Sequence, residues 1–283
     1  MVDQRLLESW TDDLDFERVG VVRRVLKSLF FHPFANHMPP SVLKAILRFG
    51  KSELAASNWV DPGGWRSMVI SYHGRPEQIA DKILVGAGSM AMALRNRRRL
   101  GARLLARLID TCDHEPAHAL CLGAGPGQII TDALAEATHE AYATLVDINS
   151  DAFDFGRAIA HEKGVGDKVR FIRGDVRDIH EMLGHPPDVV KMLGICEYLE
   201  DDQIVGIAKA VAQHMQPGRA IVFNSISPAH GTDRFFRRVF GLHMIYRSPQ
   251  KLQALMEMAG FSDFVSIPEP VGVYHVVVGH KGN

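Results

Sequence analysis

Leu120-Cys121-Leu122-Gly123-Ala124-Gly125-Pro126-Gly127-Gln128 is an apolar run that enters a glycine-rich turn and continues into a helical pattern. Glycines suit such a turn because a ligand passes close to the backbone, where a Cβ would obstruct it. The helix that opens near Pro126 offers free N–H groups to an anionic part of that ligand. Twenty residues beyond Gly127 a second apolar run ends in Leu145-Val146-Asp147-Ile148. A carboxylate at that position can accept hydrogen bonds from ribose hydroxyls. A third run, Phe171-Ile172-Arg173-Gly174-Asp175-Val176, ends in an acid that can accept from an adenine amino group. Asp147 could otherwise cap a helix and Asp175 could be a loop acid. At the ends of three consecutive runs, the three features read together as one nucleoside-binding edge.

The spacing separates this loop from the dinucleotide fingerprint Gly-x-Gly-x-x-Gly. Counted from Gly123 and Gly125, the third glycine falls at Gln128, whereas the chain has it one residue early, at Gly127. An NAD(P)-dependent oxidoreductase is therefore the weaker reading.

The elements that must position these residues follow from periodicity. From 118 onward, short apolar runs at 118–123, 142–148, 169–174, 188–194, 219–225, 263–268 and 273–280 alternate with helical patterns near 127–138, 150–163, 200–215 and 248–259. Such alternation predicts an α/β fold with a mostly parallel sheet covered on both faces. The last two runs are joined only by the turn around Pro270-Val271-Gly272, which predicts an antiparallel hairpin at the edge. Residues 5–110 read as helical. Val21, Val22, Val25, Leu26, Leu29 and Phe30 recur at helical spacing up to an expected stop at His32-Pro33. Ser41 is the expected N-cap of the next helix, Asp61-Pro62-Gly63-Gly64 is a loop, and another helix follows Pro76. A long helix over 93–110 turns Leu100, Leu104, Leu105, Leu108 and Ile109 inward. The polar stretch 111–117 is the expected boundary between a helical cap, 1–110, on the substrate side and a sheet domain, 111–283.

The chain has 283 residues, 46% hydrophobic and 23% charged, with a net charge of −1. That is the composition of an ordinary globular protein, not of a disordered chain, and its charge calls for no polyanionic partner. The two parts differ: residues 1–110 hold 17 basic and 11 acidic residues, and residues 111–283 hold 15 and 22. Cys112, Cys121 and Cys196 form no Cys-x-x-Cys pair, so neither a disulfide framework nor a cysteine zinc site is expected. The start, Met-Val-Asp-Gln-Arg-Leu-Leu-Glu, is polar, and no apolar run is long enough for a transmembrane helix; a cytoplasmic protein is expected.

The glycine loop, the spaced acids and the alternation together resemble the class I S-adenosylmethionine-dependent methyltransferases, over roughly 115–283. The resemblance implies a seven-stranded, mostly parallel, Rossmann-like sheet with an antiparallel last strand, and S-adenosyl-L-methionine as cofactor. It implies that Gly123, Ala124, Gly125 and Gly127 lie under the methionine part, that Asp147 binds the ribose with Ile148 beside the adenine, and that Asp175 and Val176 are the adenine-binding pair. Asp188-Val189-Val190-Lys191-Met192-Leu193-Gly194-Ile195 matches the strand whose end, at Leu193 and Gly194, lies beside the donor methyl. Arg219–Asn224, after Pro217-Gly218, matches the fifth strand.

The chain departs from the family members that methylate nucleic-acid amino groups, because its fourth strand lacks an Asn-Pro-Pro-Tyr type of sequence and ends in Gly194-Ile195-Cys196-Glu197-Tyr198-Leu199. No acid and histidine cluster has metal-ligand spacing, so no metal is expected. A methyltransferase acting on a small organic molecule is the expected activity. RNA methylation is an alternative, and transfer of the aminocarboxypropyl arm of the same cofactor would leave the loop and acids unchanged.

Methyl transfer from a sulfonium needs an acceptor held in line and, for a hydroxyl or ammonium, deprotonated. His230, in the long stretch 227–247, and Tyr72, in Ser71-Tyr72-His73-Gly74-Arg75, are the candidate catalytic residues. Each also has a plain reading, as a loop histidine and a packing tyrosine, and Glu197 could cap the helix near 200. Phe235, Phe236, Phe240, Leu242, Met244 and Ile245 can wall an apolar pocket or pack the cap onto the sheet. Arg95, Arg97, Arg98, Arg99, Arg103 and Arg107 read first as a solvated face or a dock onto the acidic sheet domain, and second as a phosphate or RNA site. The segment 18–31, with Arg18, Arg23, Arg24 and Lys27 among apolar residues, reads first as a lid helix or a homodimer contact, and second as a membrane-surface contact.

Overall fold

The computed structural model describes residues 3–283. The seven apolar runs form strands β1 (Ala117–Leu122), β2 (Ala141–Asp147), β3 (Val169–Arg173), β4 (Val189–Met192), β5 (Ala220–Ile226), β6 (Phe261–Pro268) and β7 (Tyr274–Lys281). They make one sheet in the order β3-β2-β1-β4-β5-β7-β6. The pairs among β1 to β5 are parallel, and β7 runs antiparallel to both β5 and β6. The strand order reverses direction between β1 and β4. Loops leaving those two strands diverge to opposite faces and open a crevice at their C-terminal ends.

Both faces are covered, which is why β1 and β5 are buried along their whole length and mostly apolar. On one face, Leu100, Leu104, Leu105 and Ile109 of helix Ser89–Asp110, with Ile130 of helix Gln128–Glu136, pack on Ala119, Cys121, Leu145 and Val222. On the other, Ile204 and Ile207 of helix Asp201–Ala212 and Leu252 and Met256 of helix Pro249–Glu257 pack on Leu120, Val190, Ile221 and Phe223.

A third cluster joins the N-terminal helices to the chain after β5. Leu43, Leu47, Ala55 and Leu94 pack with Phe235, Val239, Phe240 and Tyr274. Helix Ser89–Asp110 thus serves both regions, the sheet with its C-terminal half and the cap with Ala93 and Leu94. Asn96, fully buried on this helix, accepts from the Glu17 N–H and donates to the Glu17 carbonyl and to Glu269. Glu269 in turn accepts the N–H groups of Val271, Val273 and Tyr274, which fixes the turn of the closing hairpin.

Three local expectations are corrected. His32-Pro33 does not end the second helix. The chain stays helical over 21–37, with a π-turn at Lys27–Phe31 closed by the His32 N–H on the Lys27 carbonyl. Proline lacks an N–H and its ring collides with the carbonyl four residues back, and a widened turn just before it relieves both problems. Ser41 is not an N-cap: Pro40 takes the first helical position of Pro40–Phe49, where a missing N–H is harmless. Glu197 does not cap the helix near 200. Glu200 does, in a capping box with Gln203.

Truncation of helix Ser89–Asp110 where it packs on the sheet is expected to be costly. Leu104→Ala should lower unfolding stability by about 2–5 kcal/mol, the range for emptying a fully buried leucine site. Leu29→Ala, on an exposed side chain, should change it by less than about 0.5 kcal/mol. Urea unfolding followed by circular dichroism reads both.

Candidate active site

β1 ends at Leu122, and the next five residues contain three glycines in the left-handed region: Gly123 (φ 58°), Gly125 (φ 52°) and Gly127 (φ 73°). L-residues avoid that region, so the turn requires glycine for its backbone alone. A Cβ on Gly123 would lie 2.0 Å from Ile195 Cγ2, and one on Gly127 would lie 2.2 Å from Leu145 Cδ2. Those two glycines therefore also allow close packing. Gly125 faces outward, toward Trp65 of the cap, whose Cβ is 3.5 Å from where its own would be.

The loop borders a cleft at the C-terminal ends of β1, β2 and β4. Gly123, Ala124, Gly125, Gly127, Asp147, Ile148, Leu193 and Gly194, all read from the sequence as cofactor contacts, line it. Asp147 is held by the N–H of Gly125 on Oδ2 (2.7 Å) and the N–H of Asn149 on Oδ1 (2.8 Å). The carboxylate is thus tied to the glycine loop and has lone pairs left for hydroxyl donors. Asp175 and Val176 stand outside the lining. The Asp175 carboxylate accepts from the N–H and the side chain of Arg177, and these contacts hold its pKa below the usual range.

Three buried polar atoms that line this cleft have no partner among the described residues: Gln128 Oε1, Trp65 Nε1 and Arg97 Nε. Buried polar groups are nearly always paired in folded proteins. One acceptor and two donors left over around a glycine loop and the Asp147 carboxylate fit S-adenosylmethionine, whose amino acid end carries an ammonium and a carboxylate.

Behind the cleft sits a buried ion pair. Arg97, 3% exposed, donates to Glu197 Oε1 (3.2 Å) and to the Tyr72 hydroxyl (3.2 Å), and its guanidinium stacks 4.6 Å from the centre of the Tyr274 ring. Burial disfavours its charge, and Tyr72, Tyr274 and Glu197 more than offset that, so its pKa is raised. Asn224, at the end of β5, accepts the Gly194 N–H (2.7 Å) and donates to Glu197 Oε2 (3.5 Å). Sequence reasoning passed over this centre. The one signal was that Arg97 falls on the inward stripe of its helix, in step with Leu94, Leu104 and Leu108.

An apolar cavity adjoins the cleft, walled by Leu84, Phe235, Phe236, Phe240, Leu242 and Met244 among others. Met68, Leu94, Tyr198 and Tyr274 line both spaces. The two candidate catalytic residues are not brought together: Tyr72 lines the cleft, and His230 lines the cavity. Both nitrogens of His230 are engaged. The Thr232 N–H donates to Nδ1 (3.2 Å), so Nε2 carries the proton and donates to the Tyr246 hydroxyl (3.0 Å), which donates to Asp233 Oδ1 (2.6 Å). Burial pushes the His230 pKa down to about 4, with Asp233 offsetting only part.

The arginine stripe docks onto carboxylates. Arg98 pairs with Asp132 (2.6 Å), Arg103 with Glu136 and Asp13, and Arg95 and Arg99 with Glu17.

Residues 119–218 match a family described as a methyltransferase domain. No curated protein matches the chain. Among solved structures, a possible exported protein from Bordetella parapertussis aligns at a TM-score of 0.66 and 15% identity, over 78% of this chain and 80% of its own. Magnesium protoporphyrin IX methyltransferase from Synechocystis, with bound S-adenosylhomocysteine, aligns at 0.58 and 13%, over 84% and 99%. An O-methyltransferase family protein from Burkholderia thailandensis aligns at 0.54 and 17%, over 86% and 72%. At these identities the structural likeness is one of fold.

Asp147→Ala should weaken binding of S-adenosylhomocysteine by roughly 1–3 kcal/mol in calorimetry, the cost of losing charge-assisted hydrogen bonds. His230 should make the protein acid-sensitive. Its folded pKa lies below the unfolded 6.5, so the unfolded chain binds the proton first as pH falls. The stability it contributes is present above about pH 6.5 and is lost as pH drops toward 4, by up to roughly 3 kcal/mol. Urea midpoints measured across that window should fall less steeply for His230→Gln than for the unmodified protein.

Proposed function

We propose that this chain is a class I S-adenosylmethionine-dependent methyltransferase and that it methylates a small, largely apolar organic molecule bound in the cavity between the helical cap, 1–110, and the segment 227–247. The observation that carries this reading is the set of four residues, Met68, Leu94, Tyr198 and Tyr274, that line both cavity and cleft. A molecule in the cavity would present one atom at that junction. Apolar walls with a few polar groups are what binds and orients a small ligand out of water. The paired arginine stripe and the neutral net charge weigh against an RNA acceptor. Three free cysteines, two of them buried, accord with a cytoplasmic setting.

The cofactor supplies an electrophilic methyl group on a sulfonium. Everything else falls to side chains that position and deprotonate the acceptor. Glu197 is the charged group best placed for this, on the cleft wall just beyond β4, with Arg97 and Asn224 holding it. Burial keeps the Tyr274 hydroxyl protonated, with Glu197 adding to the effect, and the more exposed Tyr198 offers a second hydroxyl donor to the acceptor. His230, with both nitrogens occupied, holds the 227–247 segment in shape through Thr232 and Tyr246. Gly123, Ala124, Gly125 and Gly127 with Leu193 and Gly194 form the cradle, Asp147 and Ile148 the ribose and adenine side. Asp175 and Val176 complete the adenine side once Asp175 exchanges its exposed Arg177 partner for the ligand.

Turnover with a panel of apolar hydroxylated aromatic compounds, followed by mass analysis of the spent cofactor, tests the proposal. S-adenosylhomocysteine is the expected product; methylthioadenosine would mean that the aminocarboxypropyl arm is transferred instead. Glu197→Gln should lower turnover about 100- to 10,000-fold, the usual contribution of a general base. Its calorimetric affinity for S-adenosylhomocysteine should stay within a few-fold of the unmodified protein, and this also reports that the variant folds.

A further inference from the structure

Helix 21–37 is anchored at few points and shows an apolar surface. Val21, Val22, Val25, Leu29, Phe30 and Phe34 are exposed, Val21 at 77% and Phe30 at 68%. A single exposed leucine needs no explanation, but these six large apolar side chains, with Leu26 as a seventh, along four turns of one helix do. Lys27 ties the helix down, its ammonium donating to the Ala87 carbonyl and to Ser89 Oγ (3.0 Å). An open apolar groove runs beside it, lined by Arg23, Leu26, Phe30, Phe34 and Ile83. Lys27, Phe31 and Gly88 line both this groove and the inner cavity, so the groove leads to the cavity mouth.

The charge carried by this stretch of chain has one sign. Residues 18–52 contain seven lysines and arginines and no aspartate or glutamate. Among the described residues, Arg18, Arg23, Arg24, Lys44 and Lys51 are in no ion pair, although every arginine of the stripe on helix Ser89–Asp110 is. A second copy of the chain docking through this face by two-fold symmetry would set cations against cations. An anionic lipid surface suits both the charge and the apolar side chains, which is the pattern of a helix lying in a membrane interface.

We propose that helix 21–37 seats this protein on an anionic lipid bilayer, and that the mouth at Lys27, Phe31 and Gly88 admits the acceptor from that bilayer. The acceptor is then a lipid-soluble amphiphile, its apolar body in the cavity and an acidic or polar end toward Lys27. Partial burial, with Arg23 nearby, lowers the Lys27 pKa to about 8, so the ammonium remains largely charged at neutral pH. The membrane contact stands on the helix surface alone, whereas the entry route rests on the acceptor cavity proposed above.

Flotation of the full chain with phosphatidylcholine vesicles containing phosphatidylglycerol, against phosphatidylcholine alone, tests the contact. Binding is expected to the anionic vesicles and should weaken with added salt. Arg23→Glu and Arg24→Glu should each weaken it about fivefold or more. The double variant Leu29→Glu, Phe30→Glu should abolish it, with affinity for S-adenosylhomocysteine unchanged throughout. Vesicle binding absent in a chain that binds S-adenosylhomocysteine overturns the contact. So does light scattering that shows a dimer in the unmodified chain and a monomer in Phe30→Glu. Vesicle binding by a chain that does not bind S-adenosylhomocysteine leaves the contact standing and overturns the entry route with the methyltransferase reading.

Discussion

A guanidinium removed from water must find a carboxylate or it destabilises the fold by several kcal/mol. Arg97 meets that demand across the boundary between the two halves of the molecule. It leaves a helix that packs on the sheet at one end and on the cap at the other, and it reaches Glu197 just beyond β4 and Tyr72 on the cap. One side chain therefore sets the distance between the cap and the floor of the cleft. Its hold on Glu197 is reinforced by Asn224, which also takes the Gly194 N–H and so fixes the chain where β4 ends. Strand order determines where a crevice opens; this ion pair determines how the cap closes over it.

The two spaces that meet at this centre are built in different ways. The cleft is made of backbone and polar atoms: a turn that only glycine can follow, a carboxylate tied to that turn, and buried donors and an acceptor without protein partners. Such a surface recognises a polar ligand of defined shape. The cavity is made of aromatic and aliphatic side chains from the cap and from the stretch after β5. Such a surface recognises size and apolarity and leaves orientation to a few hydroxyls. Tyr198 and Tyr274 belong to both, each with an apolar ring and a polar hydroxyl.

The α/β alternation, all seven strands, the closing hairpin and the glycine loop with Asp147 were legible in the residues, because each rests on local rules. Strand and helix periods are short-range, and a turn that requires positive φ requires glycine wherever it occurs. Local rules also misled where two of them compete. Pro33 reads as a helix stop because its ring and missing N–H disrupt a regular α-turn, and a π-turn removes both objections. The arginines had no legible partners in the sequence because most of their carboxylates lie far along the chain, at Asp132 for Arg98, Glu17 for Arg95 and Glu197 for Arg97.

Pairing and exposure were decided only by the tertiary structure. His230 looked like an available base from its type and loop position, and only the packed structure engages both its nitrogens and denies it a charge. Arg97 and Glu197 were unremarkable until two separate elements brought them within reach. Helix 21–37 carries apolar residues that the sequence alone could have assigned to a core; the fold leaves them on the surface, beside an open groove. The sequence by itself determined which backbone can form and where the glycine turn and Asp147 stand on it, since those depend on steric limits of single residues and on strand order. Which charges are buried together and which apolar faces stay uncovered depend on contacts between distant segments, and those exist only once the chain has packed.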